Sequence, residues 1–447
     1  MGSGESASLP QAEAENARSA APEAGGWNFP SGGGVYLLTD AEDRLIQLAA
    51  AADLKRALIN RLAGGKSPGE AASEGASLAS GGQEAGKMPA PREAGGEMSV
   101  PLERAGKMPG ALRARPRANL GEIVRRIRWR PAHSMFEITV EYHRIARLLM
   151  PETYLKQVGF GPCWFVHVDP TAGIPRFQVG KLLRSPPGVD LGPFATQADA
   201  GRFIEILEDA FDLCRYYNIL QQVPRGQPCA YFDMGKCPAP CNGSISMDRY
   251  REMIGRALAF AYGDRQGAYA DWTSAMRAAA DARAYERAGA VKQLIDRARR
   301  IEHESFHLVR PIERFRYLIV QRGGGTTQVK PFFVRAGHLQ SGPAVRLKEL
   351  GAAVPGWLEQ MKAEPPGDAD AALRSERIWL VSHFLFKRET PGMFIPAESL
   401  GEPARLAEQI REHFATRRKE ELRDLGGEAV AEAAEGGNVG KCESEKV

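Results

Sequence analysis

Four cysteines crowd one stretch of the chain: Cys214, Cys229, Cys237 and Cys241, separated by fourteen, seven and three residues. Pro228, Pro238 and Pro240 stand among them, and the fixed φ of proline stiffens the loop that carries the thiols. Thiolates on such a loop, joined by one at the end of a preceding helix, can converge on a metal centre. Four sulfur donors suit either tetrahedral zinc or an iron–sulfur cluster. The plainer reading is a set of buried structural thiols, which four clustered cysteines with loop-forming neighbours argue against. Two more cysteines lie apart, Cys163, expected in a core, and Cys442 in a polar tail. A disulfide framework is not expected. Met1 to Gly26 lacks the pattern of a signal peptide, and no stretch approaches the roughly 20 apolar residues of a membrane helix. The protein is therefore expected in the cytoplasm, without membrane contact, where thiols stay reduced.

Other chemistry-bearing residues give weaker patterns. Between Arg113 and Arg130 there are seven arginines and one acid, Glu122. This segment reads either as a solvated arm or as a stripe facing nucleic-acid phosphates, with Arg125, Arg126, Arg128 and Arg130 as its densest part. His303 and His307 have the spacing of ligands on one helix face, but no third ligand accompanies them, so surface or packing roles are expected. A net charge of +4 does not by itself argue for nucleic acid.

The elements that must position these groups follow from periodicity. Hydrophobic residues make up 43% of the 447 residues and charged residues 26%, enough apolar content to bury a core. Residues 1–28, 63–118 and 425–447 are polar and Gly-rich and are expected to be disordered. Gly34–Leu38 and Leu45–Leu48 flank an acidic turn and read as a hairpin. Ala49–Leu62 reads as a helix through Leu54, Leu58 and Leu62, and Ile138–Met150 as another, stopped by Pro151. Trp164–Val168 and Phe177–Val179 read as strands and Gly192–Phe194 as a turn. A helix over 196–214 carries Phe203, Ile204, Leu207, Ala210 and Phe211 on one face. Residues 247–300 read as helical, broken near Gly263 and Asp281. Tyr317–Val320 and Pro331–Val334 read as a hairpin around Gly323–Gly325. Helices near 344–363 and 402–424 flank a short apolar run, Ile378–Phe386. The expected fold class is α+β, in several units: 29–158, 159–246, 247–305 and 306–424.

The run Gln227 to Cys241, continued by Asn242-Gly243-Ser244-Ile245-Ser246, closely resembles the cysteine segment of the UvrC family, the incision subunits of bacterial nucleotide excision repair. Gly192-Pro193-Phe194 is similar to that family's Gly-Pro-Tyr/Phe before a helix. Ala284 to Ala290 resembles the UVR motif, a two-helix hairpin that contacts UvrB. The resemblance spans roughly residues 29–305. It implies that Cys214, Cys229, Cys237 and Cys241 hold a [4Fe–4S] cluster. It also implies that Tyr285, Glu286, Ala288 and Leu294 belong to a surface for a UvrB-like partner, and that DNA is a second partner.

The family opens with a GIY-YIG nuclease domain, and Gly34-Val35-Tyr36 fits its first signature. The second falls on Gln47, Leu48, Ala49 and Ala50, so its tyrosine and lysine are missing. The helix arginine falls at Ala57 and the metal-holding glutamate near Met150, or at Glu152 with a two-residue slip. Hydrolysis of a phosphodiester needs a metal, a positioned base and cationic groups against developing charge. Tyr36 alone cannot supply these, and its packing role in the hairpin suffices to explain it. The family's second, RNase H-like nuclease has no room in residues 306–424, and Tyr317–Gln321 and Pro331–Val334 contain no Asp or Glu. The expectation is a UvrC-like protein that binds without cutting. Two rivals stand beside it: a working endonuclease like the short UvrC homologues, and a zinc-stabilised interaction module.

Overall fold

The computed structural model describes residues 29–62, 120–184, 186–365, 370–387 and 391–415. The segments expected to be disordered, and Cys442, lie outside these residues. The chain divides into two units, one running to Pro131 and one from Ala132. The division falls inside the expected 29–158 segment.

In the first unit, β1 (Gly34–Thr39) pairs antiparallel with β2 (Leu45–Ala51) on one side. On its other side it pairs with β3 (Arg126–Pro131), giving the order β2-β1-β3. Helix α1 (Leu54–Leu62) follows the hairpin, and a single helical turn, α2 (Leu120–Ile123), leads into β3. Leu54 and Leu58 are fully buried beside Tyr36, Leu38, Val124 and Ile127. Two expectations change here. The helix begins at Leu54 because Leu48 to Ala51 extend the strand opposite Gly34 to Leu37. The end of the arginine-rich arm is a strand, because Ile127 and Trp129 alternate with arginines and face the core.

The second unit holds two sheets. β4 (Trp164–Val168), β5 (Gln178–Gly180), β6 (Val189–Phe194) and β7 (Arg310–Pro311) form the first, in the order β5-β4-β6-β7. Gly192–Phe194, expected as a turn, is the end of β6. Gly192 fits there because a Cβ would stand 2.8 Å from the ring of Phe165. Helix α4 (Gln197–Ala210) lays Phe203 and Leu207 against this sheet. It is capped by Thr196, whose hydroxyl accepts from the Asp199 N–H, worth about 1 kcal/mol. The loop after α4 contains only two α-helical turns, α5 (Tyr217–Leu220) and α6 (Ala230–Asp233), and a 3-10 turn at Pro240–Asn242. Then come α7 (Met247–Ala261), α8 (Gln266–Asp281) and α9 (Tyr285–Ala298), with breaks where Gly263 and Asp281 placed them.

The second sheet contains β8 (Arg316–Arg322), β9 (Gln328–Arg335), β10 (His338–Ser341), β11 (Val345–Arg346) and β12 (Met393–Pro396). Its order is β10-β9-β8-β12, with β11 also paired to β9. The hairpin expected at Gly323–Gly325 joins β8 and β9. Helices α10 (Leu350–Lys362) and α12 (403–415) cover one face through Val354, Trp357, Leu406 and Ile410. α3 (Met135–Leu149) and α11 (Ala371–Leu385) lie against the other face. The ring of Phe136 there meets those of Phe332, Phe384 and Phe394 at 5.1–5.6 Å. The expected short run Ile378–Phe386 is thus the second half of a long buried helix.

A buried polar knot ties α3 to α11. His143 Nε2 lies 2.8 Å from Glu376 Oε2, and the Tyr154 hydroxyl donates to Glu376 Oε1 at 2.6 Å. Burial pushes the Glu376 carboxyl up, but hydrogen bonds from His143 and Tyr154, with the charges of His143 and Arg147, outweigh it and hold the group below its ordinary value. A depressed carboxyl stabilises the fold above its unfolded pKa and loses that contribution as pH falls through the folded value. Glu376→Ala should therefore cost about 3–5 kcal/mol near neutrality, because it strands His143 and Tyr154. Urea unfolding of both proteins across pH should show the gap narrowing below the ordinary glutamate value of 4.5. A gap that stays constant into acid would refute this account.

Candidate metal centre

The loop between α4 and α7 is positioned by a few backbone devices rather than by regular structure. Phe211 closes α4, and Asp212 turns the chain out of the helix with φ 54°. Cys214 follows immediately, and its N–H donates to the hydroxyl of Tyr250, a fully buried residue of α7, at 3.2 Å. Farther along, the Gly226 N–H donates to the Cys241 carbonyl at 2.9 Å. A Cβ on Gly226 would press within 3.2 Å of Cys241 Cβ, so only glycine lets the two strands of the loop approach this closely. Cys229 opens α6, whose end at Gly235 has φ 67°. Ala239 (φ 51°) then turns the chain between Cys237 and Cys241.

These turns bring the thiols into one neighbourhood. Cys237 and Cys241 are buried, while Cys214 and Cys229 are half-buried. The neighbouring Cys214 thiol, with smaller help from the Ala239 backbone and the charge of Arg215, lowers the Cys237 thiol against the opposing effect of burial. Cys237 and burial in turn raise the Cys214 thiol. Cys241 is raised by burial and by the nearby Cys237, with a smaller effect from Cys229. One thiol of the set is thus biased toward the thiolate, the form that binds metal. Among the described residues no three His, Cys, Asp or Glu side chains converge tightly enough to hold a single ion. The arrangement is a gathered set of sulfur donors, with Cys214 and Cys237 close enough to shift one another's thiols, rather than a closed single-ion cage.

Sequence reasoning did not single out Arg215 or Tyr250. Arg215 stacks its guanidinium 4.3 Å from the centre of the Tyr231 ring and pairs with Asp209. Its position beside Cys214 was the available signal. Nothing local marked Tyr250, whose partner is thirty-six positions away. Cys163 is core, as expected, and burial pushes its thiol far up.

The other candidates separate. Tyr36 is buried within the sheet core, where burial raises its hydroxyl. Gln47, Ala49 and Ala50 lie on β2, where Gln47 accepts from Arg61 Nε at 3.0 Å. Ala57 sits on α1, and Met150 caps α3 ahead of the exposed Glu152. Arg126, Arg128 and Arg130 alternate along β3 and share one face, and the first two pair with Asp43. Arg125 precedes the strand and donates to the Val124 carbonyl at 3.2 Å. Tyr285 is 70% exposed at the start of α9 and Glu286 is exposed beside it, while Ala288 and Leu294 are half-buried. Nine positions separate Tyr285 from Leu294, about two and a half helical turns, so these two lie on opposite sides of α9. His303 and His307 do not share a helix face. His303 caps a separate short turn by accepting from the Ser305 N–H, and His307 bonds the Glu304 carbonyl.

Residues 163–260 match the family described as UvrC/Cho excinuclease, middle domain. The chain is 29% identical to UvrABC system protein C of Cereibacter sphaeroides over 234 residues, 50% of this chain and 37% of the relative. It is 25% identical to that of Paramagnetospirillum magneticum over 278 residues, 60% and 43% of the two chains. With the Leptospira biflexa protein the identity is 32% over 114 residues, 25% and 18% of the two. The chain spans less than half the length of these relatives. No solved structure matches it.

The thiol geometry makes a prediction for metal-free protein. Thiolate ultraviolet absorbance should titrate one cysteine below the ordinary thiol value of 9.0. Cys214→Ala removes the largest influence that lowers Cys237 and should move that step toward 9.0. A step that stays put in the variant would show that Cys214 does not support the Cys237 thiolate.

Proposed function

We propose that the chain, through the middle domain it shares with the UvrC family, is a repair-related protein that binds a [4Fe–4S] cluster and does not cut DNA. The observation that carries this reading is that the matched domain contains all four clustered cysteines. The donor chemistry fits: four sulfurs reach one loop, and one of them is biased toward its thiolate. Cys214, Cys229, Cys237 and Cys241 would hold the group. Bound there, it would supply a cross-link between the end of α4 and the loop that lacks secondary structure, so its binding energy would count as folding energy. Zinc is the competing occupant of the same donors.

The partners follow from the same reading. The hairpin of α8 and α9 is the proposed surface for a UvrB-like protein, with Tyr285 and Glu286 at its exposed end. DNA is the proposed ligand of the arginine face of β3, where Arg126, Arg128 and Arg130 alternate. Residues 29–158 are proposed to be a degenerate GIY-YIG-like domain. Its signature positions carry Gln47, Ala50 and Ala57, none of which can act as a base or stabilise charge on a phosphate. Tyr36 is buried among apolar side chains.

Protein purified without oxygen should be brown and contain iron and acid-labile sulfide. Cys237→Ala and Cys241→Ala should lose both and unfold at lower temperature. Zinc in place of iron would shift the reading to an interaction module. On damaged duplex DNA with magnesium or manganese, no nicking above background is expected, and Tyr36→Phe should change nothing. Metal-dependent nicking abolished by that substitution would establish an active endonuclease instead.

A further inference from the structure

Away from the cysteines, a cleft of about 630 Å³ opens where the end of α7 meets the segment before β8 and the residues after β12. Four arginines line it: Arg265, Arg310, Arg314 and Arg316. Two carboxylates also line it, Glu313 and Glu398, so the lining keeps a formal charge of +2, four cations less two anions.

The hydrogen bonding of these arginines is incomplete. Each guanidinium has five N–H donors. Arg265 donates from Nε to the Phe260 carbonyl at 3.4 Å. Arg314 donates from Nη1 to the Tyr262 carbonyl at 3.4 Å. Both bonds are long, and neither residue forms an ion pair among the described residues. Arg310 pairs with Glu398, whose side chain is 60% exposed. Arg316 reaches Glu364, 88% exposed, at 3.7 Å. Pairs to such solvated carboxylates are weak and readily exchanged for another anion. Arg310 and Arg316 are themselves mostly withdrawn from solvent, at 17% and 23% side-chain exposure, so their charges act in a less screened setting than surface arginines.

A concave site with planar, fork-shaped cations and spare donors matches the oxygens of a phosphate group. We propose that this cleft binds a phosphate-bearing nucleotide, held chiefly by Arg265 and Arg314, either as a free nucleotide or as one unit of a single strand. The cleft size lies in the range of small-ligand sites, roughly 300–1,000 Å³. The site is independent of the cysteines and of the arginine face of β3. It would join the helical part of the middle region to the C-terminal sheet, giving residues beyond 306 a ligand-binding role.

The test uses the full chain. Calorimetric titration with ADP and with inorganic pyrophosphate measures free ligands, and fluorescence anisotropy with labelled oligothymidylate measures a strand. Arg265→Ala/Arg314→Ala should weaken binding of at least one probe by about ten-fold or more. For the strand it should also reduce the slope of log affinity against log salt by about two, one for each lost phosphate contact. An effect on ADP and pyrophosphate identifies a free ligand, and an effect confined to the strand identifies a strand unit. A variant that melts like the wild type and binds every probe unchanged overturns the site, as does a wild type that binds none. Should the double variant fail to fold, Glu398→Gln decides. It releases Arg310 without emptying the cleft and should tighten binding by a few-fold, while unchanged or weaker binding overturns the proposal.

Discussion

The middle region depends on how a loop with little regular structure holds four thiols near one another. Between Ala210 and Ser246 the chain has only two helical turns and a short 3-10 turn. Backbone order there comes from single contacts. The Tyr250 hydroxyl fixes where Cys214 leaves α4, and the Gly226–Cys241 bond closes the base of the loop. Each is worth about 1 kcal/mol net, little against the entropy of ordering more than thirty residues at roughly 1–2 kcal/mol each. The loop therefore leans on the core beside it, where Tyr250, Phe203, Leu207 and Phe260 are buried. Under the proposed reading the bound cluster supplies the remaining order, which is why it would be structural even without redox work.

Much of this architecture was legible from residue types. Hairpins read correctly where apolar runs flanked glycine or acidic turns, as at Gly323–Gly325. Helices read correctly where a stripe recurred, as in α4. The failures have two physical sources, burial on more than one side and a charged solvent face that hides a core-facing alternation. α11 looked like a short apolar run because Ile378, Trp379, Leu380 and Val381 are buried in succession, erasing the helical period. β3 looked like an arm because its solvent face is arginine and its core face offers only Ile127 and Trp129. At the cysteines, the spacing announced sulfur chemistry. It did not announce that Cys214 and Cys237, fourteen and seven residues on either side of Cys229, would influence one another's thiols most. That depends on the left-handed turns at Asp212 and Ala239, a conformation that few non-glycine residues adopt.

The second sheet explains why the chain divides at Pro131. β8 and β9 are buried on both faces, so each face needs a helical cover. α10 and α12 come from later in the chain and cover one face. The other requires α3, which arrives before the middle region, and α11. Polar pairing reinforces the choice: Lys330 on β9 meets Glu137 at 2.6 Å, and the His133 N–H donates to the same carboxylate at 2.8 Å. With α3 committed to that sheet, the three-stranded unit ends at β3 and must form its own core from α1 and the hairpin.

Charge is the property that bulk composition concealed most. A net +4 spread evenly would say nothing about ligands. The arginines are instead arranged in two different ways. Along β3 they alternate on an open strand face, and Asp43 bridges Arg126 and Arg128, so part of their field is cancelled locally. An exposed row of this kind suits contacts that are individually weak and strongly screened by salt. In the cleft beside α7 the guanidiniums surround a concavity: Arg310 and Arg316 are withdrawn from solvent and paired with exposed carboxylates, while the half-buried Arg265 and the exposed Arg314 bond carbonyls at 3.4 Å. Like charges that converge on one concavity repel one another, and an anionic occupant would offset that repulsion. That convergence, more than the total charge, separates a binding site from an ordinary charged surface.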